Sequence, residues 1–100
     1  MIKRTSNNKC SELVNNKVEF KASNIFSEYI KKDKLYIVYS YGYHFPMYIK
    51  YKNTWFENSD KYSRTTSIHQ SQARPNAKRK FLNTNQMKRL IYKTSMLGSK

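Results

Sequence analysis

Alternation of apolar and polar residues predicts a β-sheet in the first sixty residues of the chain. Residues 18–22 alternate with the period of a half-buried strand. Residues 25–30 are rich in aromatic and β-branched side chains, which favours a second strand over a single helical turn. The apolar run at 35–41 has two faces of similar polarity, so it predicts a strand in the centre of the sheet.

A hairpin is predicted next along the chain. Strand patterns at 46–51 and 54–57 flank Lys52 and Asn53, and Asn tolerates the positive φ that tight turns require. The region from about 18 to 57 is therefore predicted to be an antiparallel meander.

Two helices are predicted in the last forty residues. Residues 64–74 have helical spacing, a polar composition and Ser63 as a candidate N-cap. Residues 86–97 segregate apolar side chains from basic ones, with Thr84 as the predicted cap. Residues 76–83 are predicted to be a basic connector between the two helices.

These elements predict an α+β fold in which a small antiparallel meander is covered by the polar helix and by a C-terminal basic amphipathic helix. One hundred residues suffice for one small core. Residues 1–16 are polar and show no sustained period, so they are predicted to be a flexible arm that precedes a single domain at 17–100.

The charge of the chain predicts the kind of partner that it binds. Twenty Lys and Arg against six Asp and Glu give a net charge of +14. An AT-rich genome would raise the Lys content without any selection for binding, and a merely solvated basic surface is the alternative. Residues 61–100, however, contain no acidic side chain. That distribution favours a surface that must not repel phosphate.

The predicted ligand is therefore nucleic acid, either DNA or RNA, bound through its phosphates. No DNA-reading helix motif is present in the sequence, so base-specific recognition is not predicted. The residues predicted to contact phosphate are Arg64, Arg74, Lys78, Arg79, Lys80, Lys88, Arg89 and Lys93.

The two histidines raise the question of metal binding or catalysis. His44 and His69, with Glu57 and Asp60, match no familiar metal-ligand spacing, and neither a metal nor a cofactor is predicted. The serines near His69 lack a nucleophile elbow. The chain is predicted not to be an enzyme, and an RNA-cleaving toxin is the alternative. A structural polar network is predicted instead, comprising Tyr62, Thr65, His69 and Gln72.

Fifteen aromatic residues interleaved with Lys are also typical of base-stacking platforms. A small domain needs most of its aromatic residues for its core. Tyr36, Tyr43 and Tyr48 are the three predicted to lie at the surface.

Other features bear on where the protein acts. Cys10 is the single cysteine, and the first residues are polar and basic rather than a secretory signal. The longest apolar run, at 35–41, is far shorter than the roughly twenty residues of a membrane-spanning helix. The predicted location is the cytoplasm of a host cell, or a virion.

Several of these residues also form a recognisable pattern. A Gly-x-His-Phe-Pro segment at 42–46 is followed by Trp55 and by Ser-Asp-Lys-Tyr-Ser-Arg-Thr-Thr-Ser-Ile-His-Gln-Ser-Gln-Ala-Arg-Pro at 59–75. In this order they resemble an uncharacterised family of short domains encoded by tailed phages and related mobile elements. The resemblance implies a phage setting and no particular chemistry.

The function predicted from the sequence is that of a non-enzymatic nucleic-acid-binding accessory protein of a phage or mobile element. One alternative is an inhibitor that binds a host defence or nucleic-acid-handling enzyme, in the manner of an anti-CRISPR protein. The other is a minor virion component packed against the genome. The oligomeric state is not predicted.

Overall fold

The computed structural model describes residues 3–30, 35–43, 45–52, 54–60, 64–75 and 77–98. Within these ranges, seven strands form one sheet whose spatial order is their order in the chain. The strands are β1 (Lys3–Arg4), β2 (Phe20–Lys21), β3 (Ile25–Ile30), β4 (Leu35–Ser40), β5 (Pro46–Tyr51), β6 (Thr54–Asn58) and β7 (Arg79–Leu82). The helices are α1 (Cys10–Asn15), α2 (Arg64–Ala73) and α3 (Thr84–Gly98), and a short 3-10 helix (Asn7–Lys9) precedes α1.

The predicted meander is confirmed. Strands β2 to β6 pair antiparallel with their neighbours in sequence. Tyr51 pairs with Thr54, so two residues form the turn between β5 and β6, as predicted. Lys52 carries the positive φ, 49°, whereas Asn53 lies outside the described residues. Parallel pairing joins β1 to β2 and β6 to β7, at the two ends of the sheet.

Strand β4 is the centre of the sheet, as the sequence predicts. All six of its residues are buried because both sheet faces are covered. Tyr36 and Val38 point to the side on which α1 and α2 pack, which we call the α2 face. Leu35 and Ile37 point to the opposite side, the α3 face. This alternation is the two-residue period of a strand, here with apolar side chains on both faces.

Each face has its own apolar cluster. On the α2 face, Cys10 of α1 and Ala73 of α2 join Phe20, Val38 and Trp55. On the α3 face, Met87 is fully buried against Leu35, Ile37, Tyr39 and Ile49, and Leu90 and Ile91 pack around them. The α+β architecture, with a polar helix and a C-terminal helix covering a mostly antiparallel sheet, is therefore confirmed. None of the described helices is long and apolar enough to cross a bilayer.

The prediction of a flexible arm at 1–16 differs from the structure. Lys3 pairs with Phe20, and Cys10 and Val14 of α1 are fully buried on the α2 face. The Ser11 hydroxyl donates to the Arg74 carbonyl oxygen across 2.7 Å, which ties α1 to the end of α2. Residues four apart share one helix face, but one pair in a six-residue helix is too short a pattern to stand out in sequence.

The predicted connector at 76–83 contains strand β7. Arg79 to Leu82 pair in parallel with Trp55 to Asn58 of β6. The segment lacks an apolar alternation because it lies at the sheet edge, where Lys and Arg are tolerated and discourage further pairing.

The cap of α3 is also one residue earlier than predicted. The Asn83 side chain accepts from the Gln86 backbone N–H at 2.8 Å, and the Gln86 side chain accepts from the Asn83 N–H at 2.9 Å. This reciprocal arrangement is a capping box, in which Asn83 replaces the usual Ser or Thr. Thr84, predicted as the cap, is instead buried in the first turn.

Burial of α1 can be tested through Val14. Because Val14 is fully buried, replacing it by Ala should lower the free energy of unfolding by about 2 kcal/mol. Glu12→Ala, at an exposed position of the same helix, should change it by less than about 0.5 kcal/mol. Urea unfolding followed by circular dichroism measures both, and equal effects would contradict the burial of this segment.

Candidate nucleic-acid interface

Helix α3 presents basic side chains because its apolar stripe is held against the sheet. Met87 is buried, whereas Lys88, Arg89 and Lys93 are exposed. At about 100° per residue, positions 88, 89 and 93 fall on the arc opposite the stripe. The structure thus brings these three predicted phosphate-contacting residues to one outward surface.

Two lysines, one in β7 and one just before it, add to the exposed positive charge. Lys80 is exposed, and it lies on the α3 face because Leu82, two residues along the same strand, packs into the apolar cluster there. Lys78 is exposed immediately before the strand. We call the exposed set the C-terminal basic surface: Lys78, Lys80, Lys88, Arg89 and Lys93.

Arg79 and Arg74 do not belong to this surface, because both contact the buried carboxylate of Glu57. Glu57 is 4% exposed, and its carboxylate lies 2.5 Å from Arg79 Nε and 3.7 Å from an Arg74 terminal nitrogen. Arg79 also donates to the Ala77 carbonyl oxygen at 2.7 Å. A buried carboxylate requires such partners because burying it unpaired is costly. Arg79 and Arg74, both predicted to contact phosphate, are thus ion-paired with Glu57 on the α2 face, and the Arg74 side chain is still 42% exposed. The Arg64 side chain lies outside the described residues.

His69 is placed as a structural residue. It is 3% exposed, and its Nδ1 lies 2.8 Å from the Ser40 hydroxyl of β4. The exposed ring of Tyr41 packs against the imidazole, with 5.1 Å between ring centroids. Burial lowers the pKa of His69 below its ordinary value of 6.5, which favours the neutral imidazole.

The rest of the predicted polar network is described only in part. Tyr62 and the Thr65 side chain lie outside the described residues. Gln72 is half-buried, and its Oε1 is buried without a hydrogen bond among the described residues. The described hydrogen bond of His69 therefore runs to the sheet rather than along its own helix.

A second polar network was missed by the sequence prediction. Fully buried Gln70 donates from Nε2 to the Asn58 carbonyl oxygen at 2.8 Å. Asn58 Nδ2 donates to the Pro46 carbonyl oxygen at 2.8 Å and to the Thr84 hydroxyl at 3.0 Å. Asn58 thus joins β5, α2 and α3. Because Asn58 precedes Ser59 and Asp60, the local sequence is typical of a turn. Nothing in it indicates that Asn58 is buried and joins three elements.

The prediction of surface tyrosines is right for one residue and wrong for two. Tyr43 is 66% exposed, whereas Tyr36 and Tyr48 are fully buried. Burial is tolerated because their hydroxyls donate to the carbonyl oxygens of Val18 at 2.8 Å and Gln70 at 2.6 Å. Both partners are distant in sequence, so the strand pattern alone does not reveal them.

Among the described residues, no three His, Cys, Asp or Glu side chains lie together as a metal site. His44 is outside those residues. Glu57 is paired with arginines, and Asp60 accepts from the Thr84 backbone N–H at 2.9 Å. That bond lowers the pKa of Asp60, so the carboxylate stays charged at the N-terminus of α3.

No protein-family model, curated protein or solved structure matches this chain. The resemblance to phage-encoded domains therefore stays a prediction from sequence.

The role of His69 can be tested by pH and substitution. His69→Ala should lower the free energy of unfolding by about 1–3 kcal/mol, because the buried Ser40 hydroxyl loses its partner. The lowered pKa means that the unfolded chain takes up the proton first, so the parent loses stability as pH falls below about 6.5. Unfolding midpoints at about pH 7.5 and 5.5 measure this loss.

In the His69→Ala variant the part of this loss that comes from residue 69 should be absent. Unchanged stability and an unchanged pH dependence would contradict the structural role.

Proposed function

We propose that the chain binds the phosphate backbone of nucleic acid, without catalysis, through the C-terminal basic surface. The observation that carries this proposal is a set of five exposed basic side chains, three on the outward arc of α3 and two in or just before β7. Residues 61–100 supply no acid to neutralise them.

The positions of the ion pairs support the choice of the C-terminal basic surface, because the described salt bridges do not involve it. In the described part of the chain, the salt bridges of basic residues run to Glu57, on the other face of the sheet. The C-terminal basic surface is thus available to an external anion. Nucleic acid fits because a dense line of phosphates releases counterions when several Lys and Arg side chains bind together.

The form of the surface favours binding to any sequence. Its charges lie on the outward arc of a helix whose N-terminus is already occupied by Asp60. Phosphates would therefore meet flexible Lys and Arg side chains rather than helix N–H groups, and such contacts carry no base information. The resemblance to phage-encoded domains supports an accessory protein of a phage or mobile element as the setting.

A second candidate function rests on β7. Phe81 is 61% exposed on this edge strand. An exposed aromatic residue at a sheet edge suits a protein partner. This favours the alternatives of an inhibitor of a host defence or nucleic-acid-handling enzyme, or a minor virion component.

A pulldown from host lysate, with and without nuclease, separates the two candidates. Capture of nucleic acid, and loss of co-purifying proteins after nuclease treatment, would support direct nucleic-acid binding. A protein partner in stoichiometric amount that survives nuclease would support the inhibitor.

Salt dependence tests the electrostatic origin of binding. If the five residues each neutralise one phosphate, log affinity for duplex DNA should fall with log salt with a slope of roughly −4 to −5. Fluorescence anisotropy over a salt series measures the slope. Binding that is absent at low salt, or independent of salt, would contradict the proposal.

Removing the positive charges of α3 tests where the nucleic-acid interface lies. Changing Lys88, Arg89 and Lys93 to Gln leaves the apolar stripe intact, so the fold should survive. The magnitude of the salt slope should fall by about three, and affinity should weaken for unrelated sequences alike.

A matched control removes the same charge elsewhere. Arg4, Lys9 and Lys17 are exposed on or near the segment that packs on the α2 face, and their change to Gln should alter the slope far less. If the α3 variant binds like the parent while changes at Arg64 and Arg74 abolish binding, the interface belongs to α2 instead.

A further inference from the structure

One pocket in the described structure is lined by residues of both sheet faces and not by α3. It lies where the β2–β3 hairpin meets the loop after β4 and has a volume of about 530 Å³. This volume is in the range of small-ligand sites. Its lining includes Glu19, Lys21, Phe26, Glu28 and Tyr43.

Three aromatic rings fix one wall of this pocket. Phe26 stacks on Tyr39 with 5.1 Å between centroids and 24° between planes. Tyr43 meets both rings edge to face, at 5.1 Å and 4.9 Å. Tyr43 is nevertheless 66% exposed, so much of this supported ring is open to solvent. Such a ring is suited to stacking with another flat group.

The carboxylates of Glu19 and Glu28 restrict the chemistry of the flat group that could stack on Tyr43. Glu28 accepts from the Tyr39 hydroxyl at 3.3 Å, and Glu19 accepts from the Tyr29 backbone N–H at 3.2 Å. A carboxylate has acceptor capacity beyond one such bond. These charges repel phosphate but suit the N–H groups on the edge of a neutral nucleobase.

The aromatic wall of the pocket and α3 lie on the same face of the sheet. Tyr39, which supports Tyr43, belongs to the same apolar cluster as Met87 of α3. Lys21 is exposed at the pocket itself. A backbone held by α3 would therefore lie on the same side of the sheet as this aromatic wall.

We propose that the nucleic acid is single-stranded and that one unpaired base stacks on Tyr43 with its N–H edge toward Glu28. This inference rests on the proposed function and adds the strand class to it. A duplex keeps its bases paired and stacked, so it would use the C-terminal basic surface alone.

Tyr43→Ala tests the inference, with a single strand and its duplex as probes in anisotropy titrations at low salt. The variant should bind the single strand about tenfold more weakly and the duplex as the parent does. Tyr43→Phe keeps the ring and should bind like the parent. Phe81→Ala is the matched control, because Phe81 is similarly exposed but lies on the opposite face of the sheet.

The outcomes separate this inference from the function on which it rests. If the parent binds both probes and Tyr43→Ala binds the single strand as tightly as the parent, the base site is wrong and backbone binding stands. An equal loss for the duplex, or an equal loss in Phe81→Ala, also overturns the base site. If the parent binds neither probe, both proposals fail.

Discussion

The buried carboxylate of Glu57 constrains the C-terminal half of the fold. Placed near the end of β6 and shielded from water, it requires positive partners within contact distance. Arg79 and Arg74 supply them from β7 and from the residue after α2. Glu57 thereby holds both ends of the segment that connects α2 to β7 against the sheet. Two arginines of this markedly basic chain are therefore ion-paired within the structure.

Asn58, the next residue, extends the same constraint to the other face. Its amide and backbone bind Pro46, Gln70 and Thr84, so one residue sets the positions of α2 and α3 relative to β5. Neighbouring strand residues point to opposite faces of a sheet. Glu57 and Asn58 together therefore hold helices on both sides, and the outward direction of the C-terminal basic surface depends on them.

The sequence predicts those parts of the fold that depend on a sustained local period. The meander and the apolar stripe of α3 follow from alternation or helical spacing, and the central position of β4 follows from a run whose two faces have similar polarity. Helix α1 and strand β7 are too short or too polar for this, and their order comes from tertiary partners. For the candidate interface, the sequence identifies Lys88, Arg89 and Lys93, but distant pairing with Glu57 decides the role of Arg79.

The two parallel pairings also have a consequence for the order of folding. Tyr51 and Thr54 are three positions apart, whereas Trp55 and Arg79 are 24 apart and join only after α2 has been traversed. Contacts between distant positions must overcome a larger loop-closure entropy. We therefore expect the meander to form first and β7 with α3 to dock late. The same segment should be among the first to exchange its amide hydrogens when the native protein opens locally.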